Sequence, residues 1–155
     1  MNETDFKFLR QAFAVARRSR AHGNYPFASI LVDEHGAVLL EAENTVVSER
    51  DCTGHAEVNL VREAARRFVP EVLARSTVYA SAEPCATCAG ALYWSGVGRL
   101  VYGLSKQRAT EIERAKGAGA QLPLGCRAVL AAGEREIVIE GPALEAEAEQ
   151  VIREA

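Results

Sequence analysis

The sequence predicts an α/β protein, a three-layer α/β/α arrangement with a central mixed five-stranded sheet. Three observations carry that expectation. Two apolar, β-branched runs, "YPFASILVD" and "GAVLLEAEN", flank the turn "DEHG" and read as an antiparallel hairpin. After the hairpin, helical and strand patterns alternate to the end of the chain, as in sheets whose strands are joined by crossover helices. The 155 residues fit one domain, residues 1–155, large enough to bury a core without disulfides or metal.

The elements follow in order. From Asp5 to about Ala21, the residues Phe8, Leu9, Ala12, Phe13, Val15 and Ala16 recur at helical spacing, with Thr4 as N-cap. The hairpin comes next. "HAEVNLVREAARRF" places Ala56, Leu60, Val61, Ala64 and Ala65 on one face of a second helix, and "STVYAS" is a strand. "CATCAGALYWSG" reads as a third helix, opened by Pro84 and closed by Gly96. "VGRLVYGL" is then a strand, "SKQRATEIERAK" a helix, "EREIVIE" the last strand and "PALEAEAEQVIREA" a last helix with Pro142 in its first turn. "KGAGAQLPLG", residues 116–125, is a loop too short to mark a domain boundary, and no internal repeat is present.

Composition narrows the function. Apolar residues make up 48% and charged residues 25%, the balance of an ordinary globular protein rather than a disordered one. Eighteen Lys and Arg against 21 Asp and Glu give a net charge of -3, and "EGPALEAEAEQVIREA" is strongly acidic. Phosphate neutralisation supplies most nucleic-acid affinity, so a small-molecule substrate is favoured over a polynucleotide. Arg62, Arg66 and Arg67 read as the solvated side of a helix. The N-terminus has neither the basic and apolar regions of a signal peptide nor an apolar run that would span a bilayer, so a cytoplasmic protein without membrane attachment is expected. In a reducing compartment Cys52, Cys85, Cys88 and Cys126 would not form a disulfide framework, and Cys126 reads as a small buried side chain.

Two short stretches concentrate the chemistry. In "TGHAEVNL", His55 and Glu57 open a helix; in "SAEPCATC", Cys85 and Cys88 stand at i and i+3 in the first turn of another. If both helix starts meet at one sheet edge, an imidazole and two thiols converge, a donor set that suits Zn2+. Three protein ligands leave a fourth position for water, which zinc would acidify, and Glu57 would move its proton. Two blander readings stand beside this one. Cys52, three residues before His55, would make a closed four-ligand structural site, and Cys85-x-x-Cys88 alone would be a redox pair. His22 and His35 read as surface residues.

H-A-E followed by P-C-x-x-C resembles the signature of the zinc-dependent nucleobase and nucleoside deaminases of the cytidine-deaminase superfamily. The two halves stand 30 residues apart, each at a strand-to-helix junction, and the family's element order covers nearly the whole chain. "PFASILVD", Asn44 and "GALYWSG" are most similar to the guanine-deaminase and purine nucleoside-deaminase branch. The resemblance implies a cytidine deaminase-like fold, a metal held by His55, Cys85 and Cys88, and Glu57 as the catalytic proton carrier. It further implies Asn44 and the Ala56 backbone amide as hydrogen-bond partners of the base, with Phe27 and Trp94 as pocket walls. Glu140 and Glu145 are candidates for reading the amino-substituted ring edge. The implied reaction is hydrolytic deamination of a guanine- or guanosine-type aminopurine, with ammonia released, in a homodimer. A cytosine or cytidine deaminase is the nearer rival, a tRNA adenosine deaminase the more distant one, and a structural zinc-binding module the non-enzymatic one.

Overall fold

The computed structural model describes residues 1–154. Helix α1 (Glu3–Ala21) starts two residues earlier than the Thr4 cap would place it, because Asn2 and Asp5 form a reciprocal capping box. Strands β1 (Ala28–Val32) and β2 (Val38–Glu43) pair antiparallel, as the hairpin pattern predicts. Their turn is held by Asp33, whose carboxylate accepts the amides of His35 and Ala37, and by Gly36 at φ +84°.

A one-turn helix α2 (Val46–Glu49) leads to α3 (Ala56–Arg67), a short α4 (Pro70–Ala74) and strand β3 (Thr77–Ala82). Helix α5 (Ala86–Ser95) ends at Gly96, left-handed as its place in the sequence suggests. Strand β4 (Arg99–Leu104), α6 (Lys106–Ala115), α7 (Cys126–Ala131), β5 (Val138–Glu140) and α8 (Glu145–Arg153) complete the chain. The five strands lie in the order β2-β1-β3-β4-β5, with β1 antiparallel to both neighbours and β3, β4 and β5 parallel.

Alternation along the strands sends side chains to two separate cores. Ile30, Val32, Tyr79 and Val101 pack with α1, α6 and α8 on one face. Leu31, Val78, Ala80, Leu100 and Tyr102 pack with α3, α4, α5 and α7 on the other. This is the expected three-layer α/β/α sheet. Among the described residues no helix is long and apolar enough to cross a membrane.

The departures are local. Helices α2, α4 and α7 are four to six residues long, too short to impose a legible period. The last strand is only three residues, at the sheet edge. The last helix starts at Glu145 rather than Pro142, because the Ala143 amide still bonds to the Gly103 carbonyl and holds that stretch against β4.

Candidate metal centre and active site

The site is built at two helix starts, of which only that of α5 follows a strand directly; α2 and a turn separate β2 from His55, so the expected strand-to-helix junction there is not formed. Strand β3 runs through Ala82, Glu83 and Pro84 into Cys85, the N-cap of α5, and His55 is the N-cap of the neighbouring α3. Neither cap makes a side-chain capping bond, so both side chains are free for another task. His55 Nδ1 lies 3.3 Å from Cys85 Sγ and 3.4 Å from Cys88 Sγ, and the three ligand atoms fall within 4.8 Å of one another. Tetrahedral zinc bonded to one nitrogen and two sulfurs spaces N and S about 3.6 Å apart, so the cluster is nearly closed to the size the ion needs.

Protonation in the cluster points the same way. The hydrogen bond with Cys88, with His55 adding to it, draws the Cys85 thiol down to about 3, while giving that bond and being buried push Cys88 up. The hydrogen bond with Cys85 raises His55. A lowered thiol beside a raised imidazole concentrates the negative charge that a divalent cation would meet there. His55, Cys85 and Cys88 fit zinc by number, type and spacing.

Glu57, on the first turn of α3, is 6% exposed and lies within hydrogen-bonding reach of Cys88. Burial raises its carboxyl above the ordinary range. Asn44 is 3% exposed; its Oδ1 accepts the Val46 amide at 3.0 Å, which leaves the Nδ2 hydrogens as its outward donors. The Ala56 amide, first in α3, has no intrahelical acceptor. Phe27 is half-buried against the α1-side core and binds Asn44 through its backbone carbonyl.

Other expected residues stand differently. Trp94, expected as a pocket wall, is 85% exposed, with its ring edge-on to Tyr93. Glu145 accepts the Ser105 amide at the start of α6, in a depression of about 310 Å³ that also holds the paired charges of Arg108, Glu111 and Glu149 and none of the cluster residues. Glu140 is committed to Arg99 and to the N-terminal amine. Cys52 is exposed and outside the cluster, so the four-ligand structural site is not formed among the described residues. The redox-pair reading leaves His55 unexplained, whereas the structure joins it to both sulfurs. His22 and His35 are exposed and Cys126 buried, as read.

Two residues carry structure that the motifs do not announce. Asn59, one turn into α3, donates Nδ2 to the Glu43 carbonyl and to Thr45 Oγ1, tying the Asn44 loop to the helix of His55 and Glu57. Glu83, between strand and metal segment, accepts the backbone amides of Lys106 and Cys126. An Asn on a helix and a Glu before Pro-Cys look like ordinary polar residues until their distant partners are known.

Comparison with known proteins agrees with this geometry. The family model for the cytidine and deoxycytidylate deaminase zinc-binding region matches residues 2–104. A Schizosaccharomyces pombe protein named probable cytosine deaminase is 36% identical over 151 residues, 96% of this chain and 90% of that protein. The tRNA-specific adenosine deaminase of Haemophilus influenzae is 36% identical over 104 residues; the match covers 67% of this chain but only 60% of that enzyme. Among solved structures, the guanine deaminase of Nitrosomonas europaea superposes with a TM-score of 0.76 at 25% identity, covering 94% of this chain and 81% of the other. With the matched span enclosing His55, Glu57, Cys85 and Cys88, the chain belongs to the zinc-binding cytidine and deoxycytidylate deaminase family.

Proposed function

We propose that this deaminase removes the exocyclic amine of a free aminopurine base or nucleoside, guanine- or guanosine-type, by hydrolysis. The observation that carries the reading is a buried carboxyl, Glu57, set against a three-residue ligand cluster with no fourth protein ligand among the described residues. Zinc held by His55, Cys85 and Cys88 would supply an acidified water as nucleophile.

The chain's own residues account for the proton traffic. Glu57 takes a proton from the attacking water, passes it to the ring nitrogen beside the reacting carbon, and serves again when the amine leaves as ammonia. The carbon–nitrogen bond breaks and a carbonyl replaces it. A carboxyl raised by burial suits both duties, because burial favours its protonated form and so eases its taking up a proton before passing it on. The Asn44 Nδ2 and the Ala56 amide donate to acceptor atoms on the ring, and Phe27 forms an apolar wall. Trp94 and Glu145 would complete the pocket only with help from beyond one protomer or from the C-terminal segment. This reading includes a cytoplasmic homodimer and a single domain over residues 1–155.

A pyrimidine substrate is the second reading. It is favoured by the S. pombe relative, whose match runs through the C-terminal segment as well. RNA is disfavoured by the net charge of -3 and the acidic face of α8. The deciding experiment is ammonia release from zinc-loaded protein with guanine, guanosine, deoxyguanosine, adenine, adenosine, cytosine and cytidine, beside Glu57→Gln. Turnover of a purine, reduced at least ~100-fold in the variant at unchanged zinc content, supports the proposal. Turnover of cytosine or cytidine alone selects the second reading, and no turnover of any compound removes both.

A further inference from the structure

Glu83 joins the segment that carries the metal ligands to the part of the chain that follows β4. Its backbone amide bonds to the Leu104 carbonyl at 2.7 Å, extending the β3–β4 pairing by one residue. Its carboxylate then reaches two places in the following segment. Oε1 accepts the Lys106 amide at 2.9 Å, at the first position of α6, and Oε2 accepts the Cys126 amide at 2.8 Å, at the first position of α7. Between those contacts the chain makes an excursion through α6 and the 116–125 loop, so one carboxylate closes both ends of it.

The fit is close. Gly125 faces the carboxylate, and a Cβ there would stand 2.8 Å from Glu83 Oε2, inside van der Waals contact. Glu83 itself stands two residues before the ligand Cys85, so its two contacts tie the starts of α6 and α7 directly to the ligand segment. The family match ends at residue 104, just before the first of these contacts.

We propose that Glu83 is a positioning residue: it sets the first turns of α6 and α7 against the metal-ligand segment and so fixes how the later chain stands beside the site. The inference rests on the proposed deaminase reading for its kinetic consequence, though not for its structural one. A carboxylate is required because both partners are N–H donors. An amide in its place turns one acceptor into a donor and sets two N–H groups against each other.

The experiment compares Glu83→Gln and, independently, Gly125→Ala, which leaves Glu83 in place but pushes on its oxygen. Zinc content, amide hydrogen exchange of the zinc-loaded protein and steady-state kinetics on whichever base is turned over are measured for both. The expected result is full zinc content, faster exchange at the starts of α6 and α7, and KM raised about tenfold with kcat changed far less. The proposal is overturned if exchange there matches the unmodified protein in both variants, or if zinc is lost or kcat falls while KM stays constant. Should no base be turned over, the deaminase reading fails by itself and the exchange result still decides the role of Glu83.

Discussion

Two buried polar clusters sit at opposite ends of the same parallel strands, and they differ in what completes them. At the carboxyl end of β3, His55, Cys85 and Cys88 bring three metal-ligating atoms within 4.8 Å of one another, with Glu57 in reach of Cys88. At the start of β4, Asp5 is 3% exposed and receives hydrogen bonds from Tyr79 at 2.7 Å and from Arg99 at 2.9 and 3.0 Å, while Arg99 also pairs with Glu140. The second cluster is satisfied by its own members and binds α1, β3, β4 and β5 into one body. The first gathers an imidazole and two thiols, the donor set that suits a cation. Buried polar groups that complete one another stabilise a fold, whereas groups left open to a ligand mark a place of function.

Removing one member from each cluster should therefore have opposite consequences. Cys88→Ser is expected to weaken zinc binding on the order of 100-fold or more and to abolish deamination, with little change in the urea stability of the metal-free protein. Metal titration beside denaturation of both proteins checks this; a variant that unfolds without losing zinc affinity would erase the distinction. At the other end, Arg99→Met leaves Asp5 buried without its cation and should cost about 3 kcal/mol in urea denaturation, while zinc content stays at the level of the unmodified protein.

The same comparison can be sharpened by acid. Burial alone would raise Asp5, but the bonds from Arg99 and Tyr79 outweigh it and hold the group at about 2, below its ordinary 3.8. Because the folded value is depressed, the stabilisation is full above the unfolded value and is lost as pH falls from about 4 toward 2. It should amount to about 2 kcal/mol, and the slope of stability against pH in that window should flatten in Arg99→Met. The smallest effect belongs to Cys52→Ser: an exposed residue outside the cluster should change neither zinc stoichiometry nor stability by more than about 0.5 kcal/mol. Loss of zinc from that variant would revive a four-ligand site.

Much of this was legible because the signals are local. Helix α3 repeats its apolar residues over three turns, and its first turn contains Glu57 beside the cap His55. Cys85 and Cys88 share a helix turn whatever surrounds them. The hairpin shows in two apolar runs around a Gly turn. By contrast, the acidic C-terminal stretch offered Glu140 and Glu145 as equal candidates, and only pairing separated them: one is held by Arg99 across 41 residues, the other caps the start of α6. The resemblance implies Trp94 as a pocket wall, yet its direction on α5 leaves it exposed.

Sequence by itself determined the donor types, their spacing within each helix turn, the alternation that builds a three-layer sheet and the resemblance that names the chemistry. These depend on residues a few positions apart, where backbone geometry leaves few choices. Tertiary structure alone decided that two helix starts meet to within 3.4 Å, that Cys52 stays outside, and that Glu83 and Asn59 tie distant segments to the cluster. Such contacts join residues whose separation along the chain carries no period, so packing of the whole sheet must first bring them together.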